Sequence, residues 1–196
     1  MEFCRGPNVY LREAKVSDLQ AYVETLADWD WLPYSAEKVQ LYMRGLFSGY
    51  RYIHRPYTDT SEFRELLTIC KVSDDTPVGL NEFVVHAGKK VEAKHIAIHP
   101  DHRRLGYRNE VTLMRDAVFF DELQVNSCNT WMDFEHLSPR GYQTEIDTRI
   151  SERNGQTSKL YEATRDRWLT WKSSNSSSIP SYTYSGNNYV PPHLRT

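Results

Sequence analysis

The spacing of hydrophobic and polar positions changes period several times along the chain, and each change marks an element. Residues 8–14, NVYLREA, alternate and predict a short strand. Leu19, Tyr22, Val23 and Leu26 then recur at helical spacing, with Ser17 and Gln20 in a capping-box pattern at the start. After WDWLPYS a second helix is predicted by Val39, Tyr42, Met43, Leu46 and Phe47, and a polar, tyrosine-rich connection without clear period runs from Tyr50 to Phe63. Residues 65–100 read as three strands, separated by an Asp-Asp-Thr-Pro turn and then a Gly-Lys-Lys turn. From Arg108 to Glu122, Val111, Met114, Ala117 and Val118 mark a helix whose buried face is widened by Leu113 and Phe120. QVNSCNTWMDFE, residues 124–135, alternates as a further strand. The order is strand, two helices, three strands, helix, strand, so the fold class is mixed α and β.

The last part of the chain follows a different rule. Residues 173–196, SSNSSSIPSYTYSGNNYVPPHLRT, hold no acidic residue, are rich in Ser, Asn, Tyr and Pro, and cannot build a core of their own. The expected division is a folded domain over 1–172 and an extended C-terminal tail over 173–196. Within the tail Ile179, Tyr182, Tyr184, Tyr189, Val190 and Leu194 are spaced like anchors, and Pro191-Pro192 favours an extended segment suited to docking on a protein partner.

Composition narrows the function classes. A chain of 196 residues can bury a real core in one domain, and a formal net charge of -2 gives no overall pull toward nucleic acid or membrane. Cys4, Cys70 and Cys128 are odd in number and lack ligand spacing, so neither a disulfide framework nor a zinc site is indicated. A reducing, cytoplasmic setting is the expectation, since no signal peptide and no apolar run long enough to span a membrane is present.

The chemistry is concentrated in IHPDHRRLGYRN, residues 98–109, where a strand turns at Pro100 and enters a helix at about Arg108. Such a turn presents free backbone N–H groups and a helix dipole to an anion such as phosphate. Gly106 lets the backbone approach closely, and Arg103, Arg104 and Arg108 add positive charge. The histidines do not form a metal site: His95 and His99 share a strand face but stand ~13 Å apart at the usual rise.

With the order of elements, this stretch resembles the GNAT family of acetyl-coenzyme A-dependent N-acyltransferases. In that family a hydrophobic-x-Pro strand end is followed by Arg/Gln-x-x-Gly-x-Gly/Ala, and Ile98, Pro100, Arg103 and Gly106 match while Arg108 replaces the last small residue. A side chain of that length either crowds the pyrophosphate or swings out to bind it. Residues 154–162, NGQTSKLYE, are similar to a second family segment, Asn-x-x-Ala-x-x-Leu-Tyr-Glu, with Asn154, Leu160, Tyr161 and Glu162 in register. The alternative for Leu-Tyr-Glu is an amphipathic helix that packs Tyr161 in the core. The family's Gly-Phe after the tyrosine is missing, and HLSPRGYQTEIDTRISER, residues 136–153, is an insertion that either shapes an acceptor site or blocks one.

The resemblance implies a central, mostly antiparallel twisted sheet flanked by helices, with acetyl-CoA as co-substrate and an amine of a small molecule or protein as acceptor. It places the coenzyme at Ile98, Arg103, Arg104, Gly106, Tyr107, Arg108 and Asn154, and makes Tyr161 the acid that protonates the departing thiolate. A phenol, protonated at neutral pH, can do so along a short hydrogen bond. Glu92 and His95, with Glu82 on the neighbouring strand, are the candidate bases, and Trp29, Trp31 and Tyr34 could line an acceptor pocket. The alternative is a catalytically silent GNAT-like subunit of a larger assembly, such as a bacteriophage particle, docked through its tail.

Overall fold

The three strands and the helix predicted between residues 65 and 122 form, and the register of the strands decides which side chains meet. The computed structural model describes residues 2–27, 63–132, 139–150 and 155–185. Nine strands form one sheet among these residues: β1 Glu2–Arg5, β2 Val9–Glu13, β3 Phe63–Lys71, β4 Pro77–His86, β5 Lys90–Ile98, β6 Ser127–Met132, β7 Gln143–Ile150, β8 Thr157–Thr164 and β9 Thr183–Tyr184. Their spatial order is β7-β8-β6-β5-β4-β3-β2-β1-β9. All neighbours are antiparallel except β5 and β6, which run parallel.

The predicted turns are present, with Asp75 at φ 61° in one and Gly88 and Lys89 at φ 77° and 52° in the other. Among the described residues three helices flank the sheet: α1 Leu19–Ala27, α2 Tyr107–Ala117, which runs on as a π turn over Val118–Glu122, and α3 Arg165–Asn175. On one face Val111, Met114, Val118 and Phe119 pack with Leu11, Ile69, Phe83 and Val91 in the main core. On the other, Tyr22, Val23 and Leu26 of α1 cover Leu66, Leu80 and Ala97.

Several expectations are corrected. The capping box at Ser17 and Gln20 does not form; Asp18 accepts from the Lys15 N–H at 2.8 Å in a 3-10 turn, and Gln20 bonds Glu24 instead. The Leu-Tyr-Glu triplet belongs to strand β8 and not to a helix, because burial alternates along it and pairing on both sides fixes it as extended. The insertion at 136–153 contributes β7, which pairs with β8. Helix α3 was not expected, since its apolar stripe is narrow; Trp168 is fully buried and stacks on Phe120 at 5.7 Å.

The boundary expected between 172 and 173 falls inside α3, and the next residues fold back onto the domain. Ile179, Tyr182 and Tyr184 pack against the main core, and β9 pairs with β1. The predicted second helix, with Trp29, Trp31 and Tyr34 before it, lies outside the described residues, as do Tyr189, Val190 and Leu194.

Candidate functional site

The site begins where the one parallel pair comes apart. β5 and β6 are in register from Lys90↔Ser127 to Ala93↔Thr130, and no further. β5 runs on to Ile98 and β6 to Met132, so the two strands leave a gap beyond that row. A bulge explains the divergence: Glu82 faces His95 and Phe83 faces Ala93, leaving Lys94 as an extra residue that bends β5. Gly79 keeps the far end of β5 close to β4, since a Cβ there would lie 2.1 Å from the Ala97 carbonyl oxygen. The His99 N–H donates to the Val78 carbonyl at 2.8 Å, which assigns the alternate main-chain groups of Ile96 and Ile98 to the gap side.

At the head of this gap stands the Arg-rich loop. Pro100–His102 form a 3-10 turn, Arg104 and Gly106 take left-handed conformations at φ 64° and 83°, and α2 starts at Tyr107. A Cβ at Gly106 would meet nothing within 4 Å, so backbone conformation is what glycine serves there. Among the described residues no side chain caps the first turn of α2, which leaves its amides pointing outward. Arg103 turns back, its Nε donating to the Ile98 carbonyl at 3.0 Å, whereas Arg104 extends to solvent.

Arg108 has no ion-pair partner among the described residues. Partial desolvation, with Arg140 and Arg115 nearby, pulls its pKa below the ordinary arginine value. Arg140 comes from the segment after β6 and donates to Asn109 Oδ1 at 2.8 Å, beside the first turn of α2. The sequence reading missed Arg140 because nothing local in its stretch links it to the loop. Tyr142 anchors that segment: its hydroxyl donates to Asp116 Oδ2 at 2.7 Å, and Asp116 pairs with the buried Arg115 at 2.7 Å.

Tyr161 sits on β8 between Thr130 and Glu145, 7% exposed, in the row that ends the β5–β6 pairing. It shares the α2 face of the sheet with Ala93 and Thr130, two strand spacings or about 10 Å from β5. Its cross-strand neighbour on β7 is Glu145, whose carboxyl is held below the usual range first by Lys159 and also by Thr148.

The three candidate bases occupy the opposite face, the one that carries α1. Glu82, 2% exposed, lies 3.9 Å from His95 Nε2, and Glu92 contacts Lys94 and His86. A cavity of about 290 Å³ opens there, lined by His86, Lys90, Glu92, Asn129, Trp131 and Leu160 with Val91. Asn129 Oδ1 is buried without a hydrogen-bond partner among the described residues. The structure thus brings the loop residues together at one end of the gap, sets Tyr161 and the bases on opposite faces beside it, and leaves Asn154 outside the described residues. Cys128, next to the gap, is a packing residue whose thiol burial pushes up to about 12.

A mostly antiparallel sheet flanked by helices is the architecture expected of the GNAT acetyltransferases. Solved structures bear this out. A GNAT-family acetyltransferase from Bacillus anthracis superposes with a TM-score of 0.63 at 12% identity, covering 85% of this chain and 99% of that one. A probable acetyltransferase of the GNAT family from Chromobacterium violaceum gives 0.64 at 17% identity, covering 84% and 87%. A variant of spermidine N-acetyltransferase from Vibrio cholerae gives 0.60 at 13% identity, covering 84% and 98%. The chain therefore has the GNAT fold. No protein-family model and no curated protein matches its sequence.

Proposed function

We propose that the protein is an N-acyltransferase that takes an acyl group from acetyl-CoA and passes it directly to an amine. The observation that carries this reading is the gap between β5 and β6, with the uncapped start of α2 and the cations Arg104, Arg108 and Arg140 at its head. Phosphates of the coenzyme would be held by the amides of the Arg103–Arg108 turn and by these side chains. The thioester would lie along the gap-side backbone of Ile96 and Ile98, which extended amide groups can hydrogen-bond.

The amine then approaches from the α1 face, where Glu82 with His95, or Glu92, can take its proton directly or through water. Nitrogen forms the bond to the thioester carbonyl carbon, the C–S bond breaks, and the thiolate receives a proton from Tyr161. The acceptor is an amine-bearing small molecule or a protein amine. A second reading, a GNAT-like domain without catalysis, is favoured by the long side chain of Arg108 in the first turn of α2.

Calorimetry with the full chain and acetyl-CoA separates the two. Binding in the micromolar to sub-millimolar range is expected, and no heat at millimolar coenzyme would overturn the transferase reading. Arg108→Gly should weaken binding if Arg108 grips phosphate; a gain of binding would show that Arg108 blocks the site.

A further inference from the structure

The sheet has one short edge and one long one among the described residues. At one side β9 contributes two residues; at the other β7 runs for eight, and all but its first residue are exposed, including Ile146 at 49% and Ile150 at 64%. A long strand without proline, with no further strand beyond it among the described residues, is a template for another strand. The sequence of β7, QTEIDTRI, also determines which strand fits it.

We propose that β7 pairs antiparallel with β7 of a second copy about a twofold axis at Thr148, joining the two sheets into one. In that register Asp147 of each copy stands opposite Arg149 of the other, and Ile150 opposite Ile146. Neighbouring registers are poorer. A shift of one residue sets Asp147 or Arg149 against Thr148 and puts a charged side chain opposite each Ile150. Shifting by two puts Asp147 against Asp147, or Arg149 against Arg149, and like charges directly opposite are destabilising. The main chain is suitably disposed, because the Thr148 N–H donates to the Asp147 side chain at 2.8 Å and not to β8. Pairing exchanges that local contact for a backbone bond and releases Asp147 toward the partner's arginine.

The bulge at Ile146 limits the regular ladder to a few rows, so the interface lies at the small end of specific ones and the dimer is expected to be of micromolar strength. It adjoins the cavity described above: the Arg149 guanidinium covers the Trp131 ring at 3.8 Å, so a second copy's carboxylate is brought to the wall of that cavity.

Sedimentation velocity on the full chain from about 1 to about 200 µM tests the proposal. A concentration-dependent monomer–dimer equilibrium is expected. Asp147→Arg should weaken it roughly tenfold or more by setting arginine against arginine, and the double exchange Asp147→Arg with Arg149→Asp should restore it. A chain that stays monomeric throughout overturns the proposal. So does a dimer that Asp147→Arg and, separately, Thr148→Pro leave unchanged while circular dichroism shows both variants folded.

Discussion

Tyr161 illustrates how a sequence can mark a residue without fixing its element. Its ring lies on the α2 face in the last row before β5 and β6 part, with Glu145 as its cross-strand neighbour on β7. If it donates the proton to the thiolate, Tyr161→Phe should lower turnover by about 10²-fold or more with coenzyme affinity nearly unchanged, since only a transition-state donor is lost. Steady-state rates beside calorimetry check this, and an unchanged rate would make Tyr161 a packing residue. Phenylalanine preserves the buried ring, so the variant should fold. The Leu-Tyr-Glu triplet in the sequence marked this residue but not its conformation, because a short apolar run fits either period and pairing with β6 and β7 decided it. Arg140 gave no local signal at all. It joins the loop through the buried Tyr142–Asp116–Arg115 chain, a contact between segments distant in sequence.

At the scale of elements, the start of α1 shows a substitution of one cap for another. Burial pushes the Asp18 carboxyl up, but hydrogen bonds from Arg12, Thr68 and the Lys15 N–H outweigh it and hold the group below the usual carboxylate range. Arg12 forks onto both carboxylate oxygens at 2.7 Å. A group with a depressed folded pKa contributes stability above its unfolded value and loses that contribution as pH falls through the folded one. Asp18→Asn should therefore cost about 2 kcal/mol or more at pH 7, and the difference from the parent should shrink as pH falls below about 4. Urea unfolding at neutral and acid pH measures both. The strands of the central meander and helix α2 were legible because each has a clear period and a turn signal at its ends. Helix α3 was not, since Trp168 and Trp171 serve as its whole stripe and take their value from Phe120 and Tyr142.

For the molecule as a whole, the C-terminal segment is the clearest case of tertiary context outweighing composition. Tyr184 meets Phe3 edge-on at 5.5 Å, and Tyr182 donates to Glu122 at 3.3 Å. Tyr184→Ala should lower stability by about 1–2 kcal/mol and make β9 more accessible to protease, read by thermal melts and limited proteolysis of the full chain. Serine-rich composition predicted an independent tail, yet residues 179–185 hold few but well-placed apolar groups, and a preformed sheet edge at β1 accepts their backbone. The sequence by itself determined the central strands, the loop around Gly106 and helix α2, because these depend on period, turn residues and local charge. Only the tertiary structure decided the parting of β5 from β6, the division of Tyr161 and the bases between two faces, and the arrival of Arg140. The first two depend on register and on one bulged residue, Lys94, and the third on the buried Tyr142–Asp116 contact; register and contact are relations between segments that no single segment contains.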